Sequence, residues 1–162
     1  LYADPISVTI ELENGGVMKG ELYPNLAPET VKNFVKLAKD KFYDGLIFHR
    51  VIDGFMIQGG GYDKDMNPKE STAIKGEFTQ NGFNNPLKHT KGVLSMARTN
   101  DPDSASSQFF IMHEDAPHLD GQYAAFGKIT EGLDVVDKIA GVRTDFQDCP
   151  LEPQIIESIR LA

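Results

Sequence analysis

Most apolar stretches of this chain are too short for helices, and this constrains the fold more than any other sequence feature. The runs contain four to seven residues, and most are bounded by glycine, proline, asparagine or aspartate. They occupy residues 47–52, 55–58, 93–97, 108–112, 124–129 and 155–161. Short apolar runs between turn-forming residues are typical of β-strands. The pattern therefore predicts a mainly β protein.

The first twenty residues carry a hairpin signal. Ile6, Val8, Ile10 and Leu12 alternate with smaller or polar residues, which is the period of a strand with one buried face. The Asn14-Gly15-Gly16 sequence suits a tight turn, and a second apolar stretch covers residues 17–22. The chain is thus predicted to open with two antiparallel strands.

Only two segments have helical periodicity. Pro28 suits a first helical turn, and the apolar residues that follow share one face: Val31, Phe34, Val35 and Ala38. A second helix is predicted for residues 131–140, with Gly141 as its stop. Many strands with two helices, and no alternation of strand and helix, favour an antiparallel barrel or sandwich.

Length and charge narrow the class of protein. The 162 residues fit one domain, residues 1–162. Its 24 acidic and 16 basic residues give a formal charge of −8, which argues against binding to nucleic acid or anionic membranes. No apolar run approaches the roughly 20 residues of a membrane-spanning helix. The only cysteine, Cys149, is compatible with a reducing compartment, so we expect a cytoplasmic protein with protein or peptide partners.

The sequence lacks the spacings of metal and hydrolase sites. His113 and His118 are five residues apart with Pro117 between them, whereas a zinc-binding helix needs histidines four apart. Ser95 lies in Leu-Ser-Met rather than between the glycines of a nucleophile elbow. We therefore expect no metal site, and a metal-dependent hydrolase is disfavoured.

Residues 48–60 set Arg50 among apolar side chains with no obvious nucleophile beside it. Arginine does not act as a base near neutral pH, but its planar donors can hold an atom whose charge changes during a conformational step. From this segment alone, a structural ion pair at Arg50 with ordinary core packing around it remains open.

Four ordered blocks resemble the cyclophilin family: residues 48–60, 94–98, 107–111, and 119–121 with 126–128. Residues 27–34, at the predicted helix start, also match, so the resemblance covers nearly the whole chain. It implies a closed eight-stranded antiparallel β-barrel capped by two α-helices. It also implies a peptidyl-prolyl cis-trans isomerase whose active groove lies outside the barrel.

The resemblance assigns site residues one by one. It matches Arg50 to the catalytic arginine, and it matches Phe55, Met56, Phe110 and Leu119 to the pocket for the proline ring, with Gln58 and Gln108 beside it. Ala97 and the backbone of Arg98 match the segment that hydrogen-bonds extended peptides; the Arg98 side chain is expected to be solvated. Tyr123 replaces the histidine of many eukaryotic members, as in bacterial ones.

The resemblance also predicts partners. We expect proline-containing peptides and unfolded or folding proteins as substrates, no cofactor, and a monomer. His118 stands where the best-known members carry tryptophan at the groove rim, which predicts weak cyclosporin binding. A proline-peptide binding module with the same groove and negligible turnover is the alternative function.

Overall fold

In the computed structural model of the protein, which describes residues 4–161, short strands dominate. The strands are β1 (Ile6–Leu12), β2 (Val17–Leu22), β3 (Arg50–Ile52), β4 (Met56–Gly59), β5 (Val93–Met96), β6 (Phe109–Met112), β7 (Ala125–Glu131) and β8 (Ile156–Leu161). The helices are α1 (Pro28–Lys39) and α2 (Leu133–Ala140). The predicted mainly β architecture and both predicted helices are confirmed. Within residues 4–161 no helix is long and apolar enough to cross a membrane.

All eight strands belong to one antiparallel sheet in the order β3-β4-β6-β5-β7-β2-β1-β8. The sequence predicts a closed barrel, but this sheet is open, because no ladder joins its end strands β3 and β8 in the described chain. The segments just before those strands meet instead. Ile47 and Ile155 form an isolated bridge, and the Phe48 N–H donates to the Gln154 carbonyl at 3.0 Å.

The main core lies inside the curled sheet, beneath α1. Phe34 of α1 is fully buried, and its ring lies 5.2, 5.5 and 5.1 Å from the rings of Tyr43, Phe109 and Phe126. Aromatic contacts at such distances add to the hydrophobic gain from burial. The helical face predicted from residues 31–38 is therefore the face that covers the core.

A second apolar cluster lies on the outer face of the same sheet. Side chains alternate across a strand, so Phe109 and Ile111 of β6 point into the main core, whereas Phe110 and Met112 join the outer cluster. Met56 of β4 belongs to the outer cluster as well. Both faces of β6 are thus buried, and the outer one carries most of the predicted proline pocket.

A distant carboxylate caps the N-terminus of α1. The N-cap residue Ala27 has no side-chain acceptor, and Glu77, which lies 47 residues beyond Thr30, supplies one. Its Oε1 accepts hydrogen bonds from the Thr30 N–H at 2.6 Å and the Thr30 hydroxyl at 2.8 Å. The first turn of a helix has unpaired N–H groups and favours negative charge, so this buried carboxylate stabilises the helix start.

Candidate active site

A tight hairpin carries the predicted catalytic arginine. Arg50 on β3 pairs with Gln58 on β4, and a turn through Gly54 joins the strands. Gly54 has a φ of 80°, a conformation that favours glycine. Its N–H donates to His113 Nδ1 at 2.8 Å, and the Phe55 carbonyl accepts from the His113 N–H at 2.9 Å. The turn is therefore tied to the end of β6.

Nine of the predicted site residues line one cavity of about 230 Å³ on the outer face of the sheet. Its walls are formed by Arg50, Phe55, Met56, Gln58, Ala97, Arg98, Phe110, Leu119 and Tyr123. They come from β3, β4, the turn between these two strands, β6, and the segments around residues 97–98 and 119–123. The fold thus brings together residues that lie up to 73 positions apart in the sequence.

The other two predicted residues lie next to this cavity. Gln108 lines an adjoining cavity of about 340 Å³, which shares Gln58, Ala97 and Arg98 with the first. The Gln58 amide donates to Gln108 Oε1 at 3.0 Å, and Arg50 Nη1 donates to Gln58 Oε1 at 3.4 Å. A chain of polar groups therefore runs along one side of the predicted proline pocket and ends at an exposed guanidinium.

His118 lies at the rim of the groove. It belongs to a 3₁₀ turn, Pro117–Leu119, that also supplies Leu119 to the cavity. The His118 ring is exposed and stacks on Phe55, with 5.9 Å between ring centroids and 29° between planes. An imidazole thus occupies the edge of the site next to an apolar wall.

The Arg98 side chain is half-buried and held by several groups, whereas the sequence predicts a solvated side chain. Its guanidinium carbon lies 4.7 Å from the ring centroids of both Phe78 and Tyr123. Its Nη2 and Nε donate to the Gln122 carbonyl at 2.6 and 3.2 Å, and its Nη1 donates to the Thr99 carbonyl at 2.9 Å. Cation–π contacts and charge-assisted hydrogen bonds together hold the loop that carries Tyr123.

Two residues that support the pocket were missed by the sequence analysis. Phe78 forms one side of the clamp around Arg98, and His89 lies buried against Phe110, with 6.0 Å between the ring centroids. Neither residue belongs to an apolar repeat or a recognised block of the sequence. Their roles depend on contacts with residues distant along the chain, which periodicity does not reveal.

Histidines and carboxylates are spread over separate contacts. Among residues 4–161 no group of three or more His, Cys, Asp or Glu side chains is arranged to hold a metal ion. His113 binds the Gly54 N–H and Asp137, at 2.8 and 3.0 Å, while His118 stacks on Phe55.

The geometry of the cavity offers an apolar pocket for a small ring. The guanidinium beside it can interact with a polar group attached to that ring.

Comparison with known sequences identifies the family. A family model described as cyclophilin type peptidyl-prolyl cis-trans isomerase/CLD matches residues 7–161. A peptidyl-prolyl cis-trans isomerase of Acinetobacter baylyi is 48% identical over 158 residues, which cover 91% of this chain and 81% of the relative. Peptidyl-prolyl cis-trans isomerase B of Escherichia coli is 42% identical over 167 residues, covering 96% and 99% of the two chains.

Solved structures agree with the sequence relatives. A crystal structure of a cyclophilin type peptidyl-prolyl cis-trans isomerase from Cryptosporidium parvum superposes with a TM-score of 0.83 at 30% identity, covering 98% of each chain. A second structure of that protein, determined in the presence of the dipeptide Ala-Pro, has a TM-score of 0.81 at 30% identity and covers 96% of this chain and 98% of its own. This chain belongs to the cyclophilin-type peptidyl-prolyl cis-trans isomerases.

Proposed function

We propose that Arg50 is the catalytic residue of this isomerase and that Phe55, Met56, Phe110 and Leu119 bind the substrate's proline ring. One observation carries the assignment: the guanidinium and these four apolar side chains line the same cavity of about 230 Å³. The Ala-Pro dipeptide used with the Cryptosporidium parvum relative supports a proline-containing ligand. Peptides and unfolded or folding proteins with accessible X-Pro bonds are the substrates.

The reaction is a bond rotation. The barrier of roughly 18–20 kcal/mol arises because twisting the peptide bond breaks its conjugation, and uncatalysed X-Pro isomerisation takes tens to hundreds of seconds. Reducing the barrier by about 5 kcal/mol would give turnover on the order of 10² per second. Acceleration requires interactions that are stronger in the twisted state than in either planar state.

Arg50 supplies such an interaction. In the twisted amide the proline nitrogen is more basic, so a guanidinium donor aimed at that nitrogen or at the adjacent carbonyl oxygen gains strength during rotation. One preorganised donor contributes roughly 3–4 kcal/mol. Gln58 supports this role because its Oε1 accepts from Arg50 Nη1 at 3.4 Å, while its amide is held by Gln108.

The proline pocket and neighbouring backbone complete the mechanism. An apolar pocket holds the proline ring while the residue before it rotates, which contributes through orientation. Ala97 and the Arg98 backbone bind the extended peptide, and Gln58, Gln108 and Tyr123 border the bound segment. His118 lies at the rim of the groove, stacked on Phe55. These side chains need no cofactor, metal ion or covalent intermediate for the rotation.

The remaining expectations concern the whole protein. A formal charge of −8 supports peptide or protein partners over nucleic acid. The single cysteine supports a cytoplasmic location. Both statements remain predictions, as do the monomeric state, the single domain and weak cyclosporin binding.

The decisive experiment measures cis/trans exchange of an X-Pro peptide by NMR with and without the protein. Arg50→Ala is expected to lower kcat roughly 10²- to 10³-fold while peptide affinity stays within about threefold. Arg143→Ala is the matched control, because it removes an exposed arginine that lies outside the cavity lining. Binding by the unaltered protein without accelerated exchange would leave only the peptide-binding module, and unchanged turnover in Arg50→Ala would remove Arg50 from its role.

A further inference from the structure

A buried polar chain lies directly behind the proline pocket. His89 Nδ1 lies 3.1 Å from Asp120 Oδ1, and His89 Nε2 lies 2.9 Å from the Ser95 hydroxyl. His89 is 1% exposed and Ser95 is fully buried. The order of groups matches a serine hydrolase triad, but substrate has no access to a hydroxyl buried within the sheet. The chain must therefore serve another purpose.

The hydrogen-bond partners of His89 define which nitrogen of its imidazole carries the proton. Burial lowers the pKa of His89 from 6.5, since desolvation outweighs the hydrogen bond and charge of Asp120, and the ring is neutral at neutral pH. Asp120 Oδ1 also accepts the His89 backbone N–H at 2.6 Å. An ionised carboxylate only accepts hydrogen bonds, so Nδ1–H donates to Asp120, and Nε2 accepts from the Ser95 hydroxyl.

This imidazole contacts two pocket walls. It stacks on Phe110 at 6.0 Å with 20° between the ring planes, and it meets the edge of Tyr123 at 6.4 Å and 74°. Phe110 and Tyr123 are themselves 5.6 Å apart and nearly perpendicular, at 87°. A side chain fixed by hydrogen bonds at both nitrogens thus sets the position of an aromatic group that lines the cavity.

The backbone of His89 also holds a third wall of the pocket, the segment of residues 116–120. The His89 carbonyl accepts the Ala116 N–H at 2.8 Å, just before the turn Pro117–Leu119. Asp120 immediately follows that turn and is held by the His89 N–H. The segment that presents His118 and Leu119 to the groove is therefore attached to His89 at both of its ends.

We infer that His89 is a positioning residue of the isomerase: its neutral ring, held between Asp120 and Ser95, fixes Phe110 and the 116–120 segment in the geometry that receives proline. The inference rests on the proposed function of the groove. His89 contacts neither substrate nor the rotating bond, and it acts through the pocket walls.

The test compares two variants with a matched control. His89→Asn removes the ring, and Asp120→Ala removes its carboxylate partner while leaving every ring unchanged. Val8→Ala creates a comparable packing defect in the main core, away from the outer cluster. We expect kcat/KM on an X-Pro peptide to fall roughly 10- to 100-fold in His89→Asn and about 3- to 10-fold in Asp120→Ala, chiefly through KM. Val8→Ala should only lower the Tm.

A spectroscopic readout separates positioning from general destabilisation. ¹⁵N NMR of the histidine should show the Nδ1–H tautomer in the unaltered protein and a shift towards Nε2–H in Asp120→Ala, accompanied by changed Phe110 ring resonances. Val8→Ala should show neither change. Folded His89→Asn and Asp120→Ala with unchanged kcat/KM and unchanged Phe110 resonances would overturn the inference.

Peptide affinity keeps this test independent of the catalytic assignment. Equilibrium binding of the proline peptide does not require Arg50 to catalyse rotation. Weaker binding in His89→Asn together with full turnover in Arg50→Ala would uphold the positioning role and reject the proposed catalyst. Unchanged binding in His89→Asn together with loss of turnover in Arg50→Ala would reject the positioning role and uphold Arg50 as the catalyst.

Discussion

Two arginines at the groove differ in how firmly their side chains are held. Arg98 is fixed between two aromatic rings and bonded to two carbonyls. Arg50 is exposed and has one long contact, 3.4 Å to Gln58. The catalytic role that we propose for Arg50 needs unused hydrogen-bonding capacity, because the donor must strengthen its bond as the amide twists, and the Arg50 guanidinium retains that capacity. Arg98 instead stabilises the loop that forms one wall.

A second prediction at the scale of single residues is that His118 limits the affinity for cyclosporin. Replacing this exposed imidazole with indole adds apolar contact area at the rim and keeps a ring N–H donor there. We expect His118→Trp to lower the Kd for cyclosporin at least about tenfold, measured by titration calorimetry. The unaltered chain contains no tryptophan, so fluorescence of the new indole provides a second measurement.

The control for that experiment is Phe146→Trp. Phe146 is 95% exposed and lies outside the lining of the groove cavity, so an indole there should leave the Kd unchanged. Equal cyclosporin affinity in the unaltered protein and in His118→Trp would show that the rim residue does not control binding.

At the scale of elements, the start of α1 depends on a residue outside the helix. Glu77→Ala removes the acceptor of two buried donors on Thr30, and leaving buried donors unpaired costs roughly 2–3 kcal/mol of unfolding free energy. Urea denaturation should show a lower midpoint with an unchanged m-value.

Glu29 provides the matched comparison for the cap. It is an exposed carboxylate in the same first turn, so Glu29→Ala removes only a dipole interaction, about 0.5 kcal/mol. Equal losses in the two variants would mean that Glu77 acts through charge alone and that its hydrogen bonds to Thr30 contribute nothing.

At the scale of the whole molecule, the half-buried His49 and the buried His89 predict sensitivity to mild acid. Burial, aided by the charge of Arg50, lowers the pKa of His49 from 6.5 to about 4, and burial also lowers that of His89. The unfolded chain therefore binds more protons than the native protein below about pH 6.5. Stability should be complete above that pH and should fall as the pH drops below it. His49 should contribute about 1 kcal/mol per pH unit down to about pH 4, and His89 should contribute with the same sign.

Urea denaturation at a series of pH values tests this prediction. His49→Phe should flatten the dependence of the unfolding free energy on pH, because it removes one of the two histidines that bind a proton on unfolding. The new ring keeps the contact with Tyr62, and the Nδ1 that is lost lacks a hydrogen-bond partner in the described structure. Carboxylates whose pKa is lowered in the folded protein, such as Asp137 beside Lys91, lose their contribution to stability only at a pH below the range in which these histidines act. A flat profile from pH 7 to pH 5 would contradict the prediction.

Sequence patterns determined much of the architecture because each pattern reports a local preference. Strand periodicity predicted the β1–β2 hairpin, and helical spacing predicted the face of α1 that packs on the core. The blocks around Arg50, Phe110 and Leu119 indicated the family, and nine of the predicted site residues line one cavity. The predicted closure of the sheet was wrong. Closure depends on whether the two end strands pair with each other, and a local pattern does not report that.

Only the tertiary structure decided how the groove is held in shape. The Arg98 clamp, the Glu77 cap and the His89 chain each join residues far apart in the sequence, 47 positions for Thr30 and Glu77 and 31 for His89 and Asp120. No spacing rule records such pairs, because they depend on which segments the sheet brings together. The sequence by itself determined which residues are available for the chemistry, whereas the folded chain decided which of them are held in place and which stay free to act.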